Sequence, residues 1–136
     1  MNYISEEYSE FSLHHNNKIN IFIHIISGVI YMSCFDILTN TNYMYMLLLF
    51  VTMHNIIIIL LSQLSIQLCK KIIKKYEIKR IRLIILFFLF CFIIPEISHY
   101  LTNEPPVLNK KNITCMKLIT NIVYFLPFSI GKILSI

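Results

Sequence analysis

The chain has few charged residues for its length, and this scarcity decides its broad class. Only 14% of its 136 residues are Asp, Glu, Lys or Arg, whereas 57% are hydrophobic and the mean hydropathy is +0.68. A chain this apolar is not an ordinary soluble domain. Glycine occurs only twice and tryptophan is absent, and the sequence has neither an internal repeat nor a flexible linker. These features predict one integral membrane domain over residues 1–136.

The sequence also lacks a cysteine framework and a cleavable signal peptide. Its cysteines form no CxxC pair, which argues against a zinc ribbon and against a set of disulfides. We interpret them as small buried hydrophobic residues. The N-terminus is acidic (MNYISEEYSEF) and no small-residue cleavage site follows the first apolar run, so that run is predicted to be an uncleaved anchor. The four cysteines are Cys34, Cys69, Cys91 and Cys115.

Four apolar stretches predict an all-α, polytopic helical membrane protein. A helix needs about 20 apolar residues to cross the hydrocarbon core. The third stretch reaches this length only with its polar end, PEISHYL. The second is long enough to be one helix, or a re-entrant hairpin broken at Met53-His54-Asn55 and buried within the protein. The stretches are residues 19–38, 43–68, 83–101 and 113–136.

A basic segment separates the second and third stretches. Residues 70–82 (KKIIKKYEIKRIR) hold seven of the twelve basic residues and one acidic residue. The positive-inside rule predicts that this segment is a cytoplasmic loop. We expect it to contact anionic lipid headgroups and not nucleic acid.

The five histidines are the main functional candidates, because an ionisable side chain within a membrane span is costly. Around the first stretch the chain reads SLHHNNKINIFIH. The asparagines at 16–17 are predicted to form a turn and to cap a helix starting near Lys18. Asn20 and His24 then share one helix face. The turn is required for His15 to fold back toward His24, because nine residues of unbroken helix would put the two on opposite sides.

A second polar cluster ends the third stretch. Pro95 is predicted to kink or interrupt the helix. His99 follows it, and Glu104 lies in a loop stiffened by two prolines. Histidines with a nearby carboxylate fit non-haem iron. Two histidines on different helices would also suffice for haem, and each histidine taken alone fits a hydrogen-bonded core residue or an interfacial residue.

Two motifs resemble those of a membrane protein family. The first is His15-x4-Asn20-x3-His24, preceded by Tyr8, Phe11 and His14. The second is SHYLTNEPPVL, followed by a last apolar helix with Phe125-Leu126-Pro127-Phe128. In this order they are similar to the motifs of the iron-dependent 2-hydroxy fatty acid dioxygenases of the endoplasmic reticulum and of their small membrane relatives. The resemblance covers roughly residues 8–38 and 91–130.

The resemblance implies an activity and a set of site residues. The implied reaction is the oxidative shortening of a 2-hydroxy fatty acid by one carbon, with O2 and Fe(2+), in the endoplasmic reticulum or a comparable internal membrane. The apolar helices would hold the acyl chain. The implied metal ligands are His15, His24 and His99, with Glu104 as a further catalytic residue that orients a ligand or binds the metal, and with His14 and Asn20 as supporting residues.

The motifs depart from the family in several places. Ser98 stands where the family usually has glycine, and Glu104 follows His99 by five residues instead of four. An alternative from another class is therefore kept, namely a non-catalytic lipid-binding or structural multi-pass membrane protein. The sequence leaves the oligomeric state open.

Topology sets a condition on the metal site. With four straight spans, His15 and His99 would lie near opposite sides of the membrane and would not share an ion. Three or five passes would bring them together. The hairpin at Met53-His54-Asn55 supplies the extra pass, and His54 would then be a turn residue or a further ligand.

Overall fold

Five helices make up the part of the chain that the computed structural model describes, residues 3–42, 56–104 and 115–134, and these residues include no strand. Four of the helices, α2 to α5, are 20 or 22 residues long and apolar enough to cross a membrane. The chain is an integral membrane protein, and the predicted all-α polytopic class is confirmed. The helices are α1 (Tyr3–His14), α2 (Lys18–Thr39), α3 (Ile56–Lys75), α4 (Arg80–Leu101) and α5 (Cys115–Leu134).

Helix α2 begins where the sequence predicts. Asn17 is its N-cap, and the Asn17 side chain accepts hydrogen bonds from the backbone N–H of Ile19 at 2.9 Å and of Asn20 at 3.4 Å. These bonds satisfy two of the N–H groups that a helix start leaves without partners. Residues 15–17 form the short turn between α1 and α2, and His15 is the first residue of this turn.

Helix α1 is not among the elements that the sequence predicts. Glu7 and Phe11 lie four residues apart on its buried face, and His15 follows Phe11 by four residues, just beyond the end of the helix. These three residues are 6%, 3% and 1% exposed. Lys117 of α5 lies 4.0 Å from the Glu7 carboxylate and 3.4 Å from that of Glu10. Helix α1 is therefore held against α5 by an aromatic and ionic face, and it presents His15 to the other helices.

The predicted basic loop at residues 70–82 is largely helical, which corrects that prediction. Helix α3 continues to Lys75 and α4 starts at Arg80, so the connection is residues 76–79. Lysine and arginine are good helix formers and reach water with long side chains, so a charged helix end is stable beyond the apolar core. Lys74 and Lys75 also lie in the last turn, where positive charge stabilises the helix dipole.

The π-helical turn Leu89–Ile93 lies immediately before Pro95 in α4. The backbone N–H of Ile94 donates to the carbonyl of Leu89, five residues back. A proline ring clashes with the carbonyl of the residue four before it, and the wider turn relieves that clash. The predicted interruption at Pro95 thus takes the form of a π turn within a continuous helix.

Helices α2 and α4 run antiparallel. Near the start of α2, His24 Nε2 lies 3.0 Å from Nε2 of His99, close to the end of α4. At the other end of the pair, Cys34 and Leu83 share a buried cluster. His99 therefore lies at the same end of the bundle as His15.

Helix α3 runs parallel to α2. The Ser33 hydroxyl donates to the carbonyl of Ile66 at 3.4 Å, and one turn further along both helices Lys70 lies 3.5 Å from Asp36. The helices therefore do not alternate in direction as four consecutive straight spans would. This arrangement lets His15 and His99 lie at the same end of the bundle, as a shared metal ion requires. The predicted break at Met53-His54-Asn55 lies outside the described residues.

Helix α5 packs tightly against α2 at Gly28. A Cβ added there would lie 3.0 Å from Cβ and 3.3 Å from Cα of Leu126, which is tighter than ordinary contact. Glycine at this position lets α5 approach α2 closely, in the way that small residues allow membrane helices to pack.

We expect Gly28→Val to loosen this contact. Overpacking of this kind costs about 1–3 kcal/mol, and here the obstacle is backbone, which cannot rotate away. The measurement is thermal denaturation in detergent. The matched control is Gly131→Ala, whose new Cβ would meet the ends of the Tyr8 and Ile58 side chains at 3.1 and 3.2 Å. Equal stability of the two variants would contradict the prediction.

Candidate metal centre

Three elements place one histidine each at the same point. His15 comes from the turn after α1, His24 from the second turn of α2 and His99 from the last turns of α4; they are 1%, 0% and 4% exposed. One ring nitrogen from each lies within 4.8 Å of the others. The structure thus brings together the three histidines that the sequence analysis proposed as metal ligands. We call this group the histidine cluster.

The nitrogen geometry of the histidine cluster fits a metal ion. His15 Nδ1 lies 2.6 Å from the carbonyl of Phe11 and donates to it, so His15 Nε2 carries the lone pair. That Nε2 atom is buried and has no hydrogen-bond partner among the described residues. His24 Nε2 and His99 Nε2 are 3.0 Å apart, and two neighbouring ligands at about 2.1 Å from one ion have a similar separation, about 3.0 Å at a right angle.

Polar groups lie beside the second nitrogen of each of the other two rings. His24 Nδ1 lies 3.4 Å from the Ser98 hydroxyl, and His99 Nδ1 lies 3.4 Å from Nδ2 of Asn20. Metal-bound histidines usually have a hydrogen-bonding group at this position. The same 3.0 Å distance between His24 and His99 leaves no room for a porphyrin between them, so the arrangement does not fit bis-histidine haem.

His15 is held in the neutral form that binds metal. Burial lowers the pKa of His15 to about 4, and the neighbouring His99 and His14 add to this effect. The carbonyl of Phe11 and the Glu104 carboxylate act in the opposite direction but are weaker in sum. At neutral pH the ring is uncharged, and its free nitrogen is available to an ion.

Glu104 lies outside the histidine cluster. Its Oε1 accepts hydrogen bonds from the backbone N–H of Asn16, at 2.8 Å, and of Asn17, and its Oε2 accepts from Nδ2 of Asn20 at 2.6 Å. Burial alone would raise the pKa of Glu104, but the bonds from Asn20, Asn17 and Asn16 outweigh it and lower the pKa. The variant in which Glu104 binds the metal directly is not what the structure shows.

The end of α4 explains how Glu104 reaches these partners. Asn103 has a left-handed backbone with φ of 55°, and the N–H of Glu104 donates to the carbonyl of His99 at 3.1 Å. This hydrogen bond joins residues five apart, and the residue directly before its donor is left-handed. The pattern is that of a Schellman motif, which ends a helix. The motif turns the chain back over the start of α2, so the five-residue gap between His99 and Glu104 is accommodated.

Asn20 connects α2 to α4 and to Glu104. Ser98 donates from its hydroxyl to Oδ1 of Asn20, while Nδ2 of Asn20 donates to Glu104 and lies 3.4 Å from Nδ1 of His99. Asn20 and Ser98 are 0% and 1% exposed. Asn20, predicted to be a supporting residue, therefore contacts Ser98, Glu104 and His99. Ser98 was not predicted to belong to this network; its position next to His99 is the sequence signal that could have identified it.

Aromatic rings fix two of the histidines from the sides. Phe11 stacks on His15 with centroids 3.7 Å apart and an angle of 12°, and Phe125 stacks on His24 at 4.5 Å and 20°. The ring orientations are therefore set by packing as well as by hydrogen bonds. His14 is half-buried and lies outside the metal-binding group.

A pocket with a cavity volume of about 60 Å³ adjoins the histidine cluster. All three histidines contribute to its wall. The rest is mainly apolar and comes from α1, α2, α4 and α5, with Phe92 of the π turn, Ile122 and Phe125 as examples. Glu96 and Asn121 are polar exceptions. A ligand in this pocket would have its polar end at the histidines and its apolar part against aromatic rings.

We expect Glu104→Gln to weaken metal binding without unfolding the bundle. The glutamine amide keeps one acceptor oxygen, but its NH2 group would face N–H groups that now donate hydrogen bonds to the Glu104 carboxylate. Loss of an outer hydrogen bond of this kind typically lowers metal affinity by about 10- to 100-fold. Metal titration of the purified protein measures the effect. The control is Glu77→Gln, an exposed glutamate in the turn at the other end of the bundle, and an equal loss in that variant would contradict the prediction.

Comparison of the chain with protein-family models, with curated proteins and with solved structures gives no match.

Proposed function

We propose that the protein is a membrane-embedded, metal-dependent oxygenase that acts on a fatty acyl substrate. One observation carries the proposal: three buried histidine nitrogens converge beside an apolar pocket, within a bundle of helices that cross the membrane. Buried histidines in membrane spans are costly, and the histidine cluster leaves its nitrogens directed at a common point instead of pairing them with carboxylates.

The proposed substrate is a 2-hydroxy fatty acid, and the proposed ion is Fe(2+). Support comes from the motif residues quoted above and from the apolar wall of the pocket. When bound, ferrous iron supplies the binding and reduction of O2 that oxidative shortening by one carbon requires. Imidazole ligands suit iron, but a three-histidine set also suits catalytic zinc, so the experiment must distinguish the two metals. The endoplasmic reticulum or a similar internal membrane is the proposed location.

The residues of the chain divide the work as follows. His15, His24 and His99 hold the ion, and the carbonyl of Phe11 keeps the His15 ring in one tautomer. Glu104 and Asn20 tie the turn before α2 to the end of α4, which fixes the separation of the three ligands. Aromatic side chains exclude water from the pocket and contact the acyl chain.

The test combines metal analysis with turnover. Protein purified in detergent is loaded anaerobically with Fe(2+), its metal content is measured, and a 2-hydroxy fatty acid is then added with O2. We expect stoichiometric iron and a fatty acid one carbon shorter, with one O2 consumed and the lost carbon released as CO2 together with one water in each turnover. The matched control substrate is the fatty acid without the 2-hydroxyl group, which should not be shortened.

Other outcomes would reject parts of the proposal. Stoichiometric zinc with no O2 consumption would move the function to hydrolytic chemistry at the same site. Absence of any bound metal would favour the non-catalytic lipid-binding alternative.

A further inference from the structure

The two ends of the helix bundle differ in charge. Six exposed basic side chains surround the turn between α3 and α4, and none forms an ion pair with a described residue. The only acidic residue among them is Glu77. The other basic residue of this segment, Lys70, is paired with the fully buried Asp36 at 3.5 Å. We call this surface the basic end; its members are Lys71, Lys74, Lys75, Lys79, Arg80 and Arg82.

Apolar side chains lie between the basic residues of the basic end. Ile72, Tyr76 and Ile81 are 58%, 71% and 62% exposed. Exposed isoleucine and tyrosine beside lysine and arginine are suited to the headgroup region of a membrane. There the apolar side chains contact lipid while the charged groups reach headgroups and water. A nucleic acid would contact the charges and leave the isoleucines in water, so the pattern favours a lipid surface.

The opposite end contains the histidine cluster and has a different balance. Glutamates at positions 6, 7 and 10 of α1 lie there, together with Glu104. Lys117 pairs with Glu7 and Glu10, and Lys132 donates to the Ser12 hydroxyl at 2.9 Å. The five basic residues outside residues 70–82 are spread over the rest of the chain. Among the residues that the structure describes, exposed basic side chains without an ion pair are thus concentrated at the end far from the histidine cluster.

We propose that the basic end lies against the anionic cytosolic leaflet and that the metal centre opens toward the opposite, non-cytosolic surface of the membrane. His99 follows Arg80 by 19 residues of helix, which is about 28 Å at 1.5 Å per residue and close to the thickness of the hydrocarbon core. The positive-inside rule counts lysine and arginine near the membrane ends and assigns the basic end to the cytosol. Metal and polar substrate groups then reach the histidine cluster from the other side.

Glycosylation in microsomes tests this orientation without reference to metal or activity. One protein carries an N-glycosylation site on a flexible extension before Met1, next to α1 at the histidine end. A second carries the site in a flexible insert after Glu77. Asn112→Gln removes the native Asn112-Ile113-Thr114 site from both, so that each has a single acceptor. We expect the first protein to be glycosylated and the second not.

Three results would overturn the proposal. The first is the reverse pattern, and the second is partial glycosylation of both proteins. The third is an unmodified first protein that alkaline extraction shows to be inserted in the membrane. A failure of the oxygenase assay would leave this result unchanged, so the two proposals fail separately.

Substitution of the basic end tests its cause. The quadruple change Lys71→Gln, Lys74→Gln, Lys75→Gln and Lys79→Gln should give a mixed population, with part of the second protein now glycosylated. The matched control replaces the same four residues by arginine, which keeps the charge and should keep the orientation. An unchanged pattern in the glutamine variant would show that the basic end does not set the orientation.

Discussion

The variant His24→Ala is expected to bind no metal under conditions where the unmodified protein binds it stoichiometrically. His24 is fully buried, its Nε2 lies 3.0 Å from that of His99, and no other described histidine or carboxylate lies in the group that would replace it. Loss of outer hydrogen bonds alone costs about 10- to 100-fold in affinity, so loss of a ligand should exceed that range. Metal content after gel filtration measures the result, and His99→Ala should behave in the same way.

The matched control for this prediction is His14→Ala. His14 is half-buried, precedes a ligand and lies outside the histidine cluster, so the control should retain the metal. Because His24→Ala also leaves a void beside the Phe125 ring, a second variant, His24→Phe, fills the space without a ligand atom. Metal retained by His24→Phe with an intact fold would contradict the proposed centre, whereas loss of metal in both His24 variants and retention in the control would support it.

The parts of the site that the sequence predicts depend on local chemistry. The cap at Asn17 follows from the side-chain oxygen that a helix start needs, and the position of His15 follows from that cap. The convergence of His15, His24 and His99 can be proposed from spacing and motif resemblance together, but spacing alone permits it only when the polarity of the helices is suitable. The parallel arrangement of α2 and α3 is a property of packing between distant segments, and no local pattern encodes it.

The missed features have physical reasons of the same kind. Helix α1 contains several glutamates, so its composition resembles that of a solvated tail. Its buried face depends on contact with Lys117 of α5, which is distant in the sequence. Ser98 is ordinary in sequence, and its role depends on Asn20, which is 78 residues away along the chain. The gap between His99 and Glu104 looks like a defect in the motif, yet the left-handed Asn103 accommodates it.

Charge placement shows how the same residues serve both fold and orientation. Asp36 and Lys70 form a partly buried pair between parallel helices, where an unpaired carboxylate would be costly. Since this pair uses one basic residue, the proposed orientation depends on the remaining six. His15 of the histidine cluster, by contrast, has a pKa of about 4, so at neutral pH it requires no counter-charge until an ion binds.

Asn20→Leu is expected to cost both stability and metal binding. Leucine has the same branched arrangement of side-chain heavy atoms as asparagine but neither accepts from Ser98 nor donates to Glu104. A buried polar group that loses its partner costs about 1–3 kcal/mol, and the Ser98 hydroxyl would keep only its 3.4 Å contact with Nδ1 of His24. Without the link from α2 to the end of α4, the separation of His24 and His99 is no longer fixed. Thermal denaturation in detergent and metal titration measure the two effects.

A second substitution at the same position separates the donor from the acceptor function of Asn20. Asn20→Asp keeps an oxygen for the Ser98 hydroxyl but faces the Glu104 carboxylate with a like charge, so it should release Glu104 and lower metal affinity. The control is Asn121→Leu, which removes a half-buried amide from the pocket wall but not from this network. Metal affinity should fall in both Asn20 variants and stay unchanged in the control. If Asn20→Leu binds metal as tightly as the unmodified protein, the link between α2 and α4 does not position the ligands.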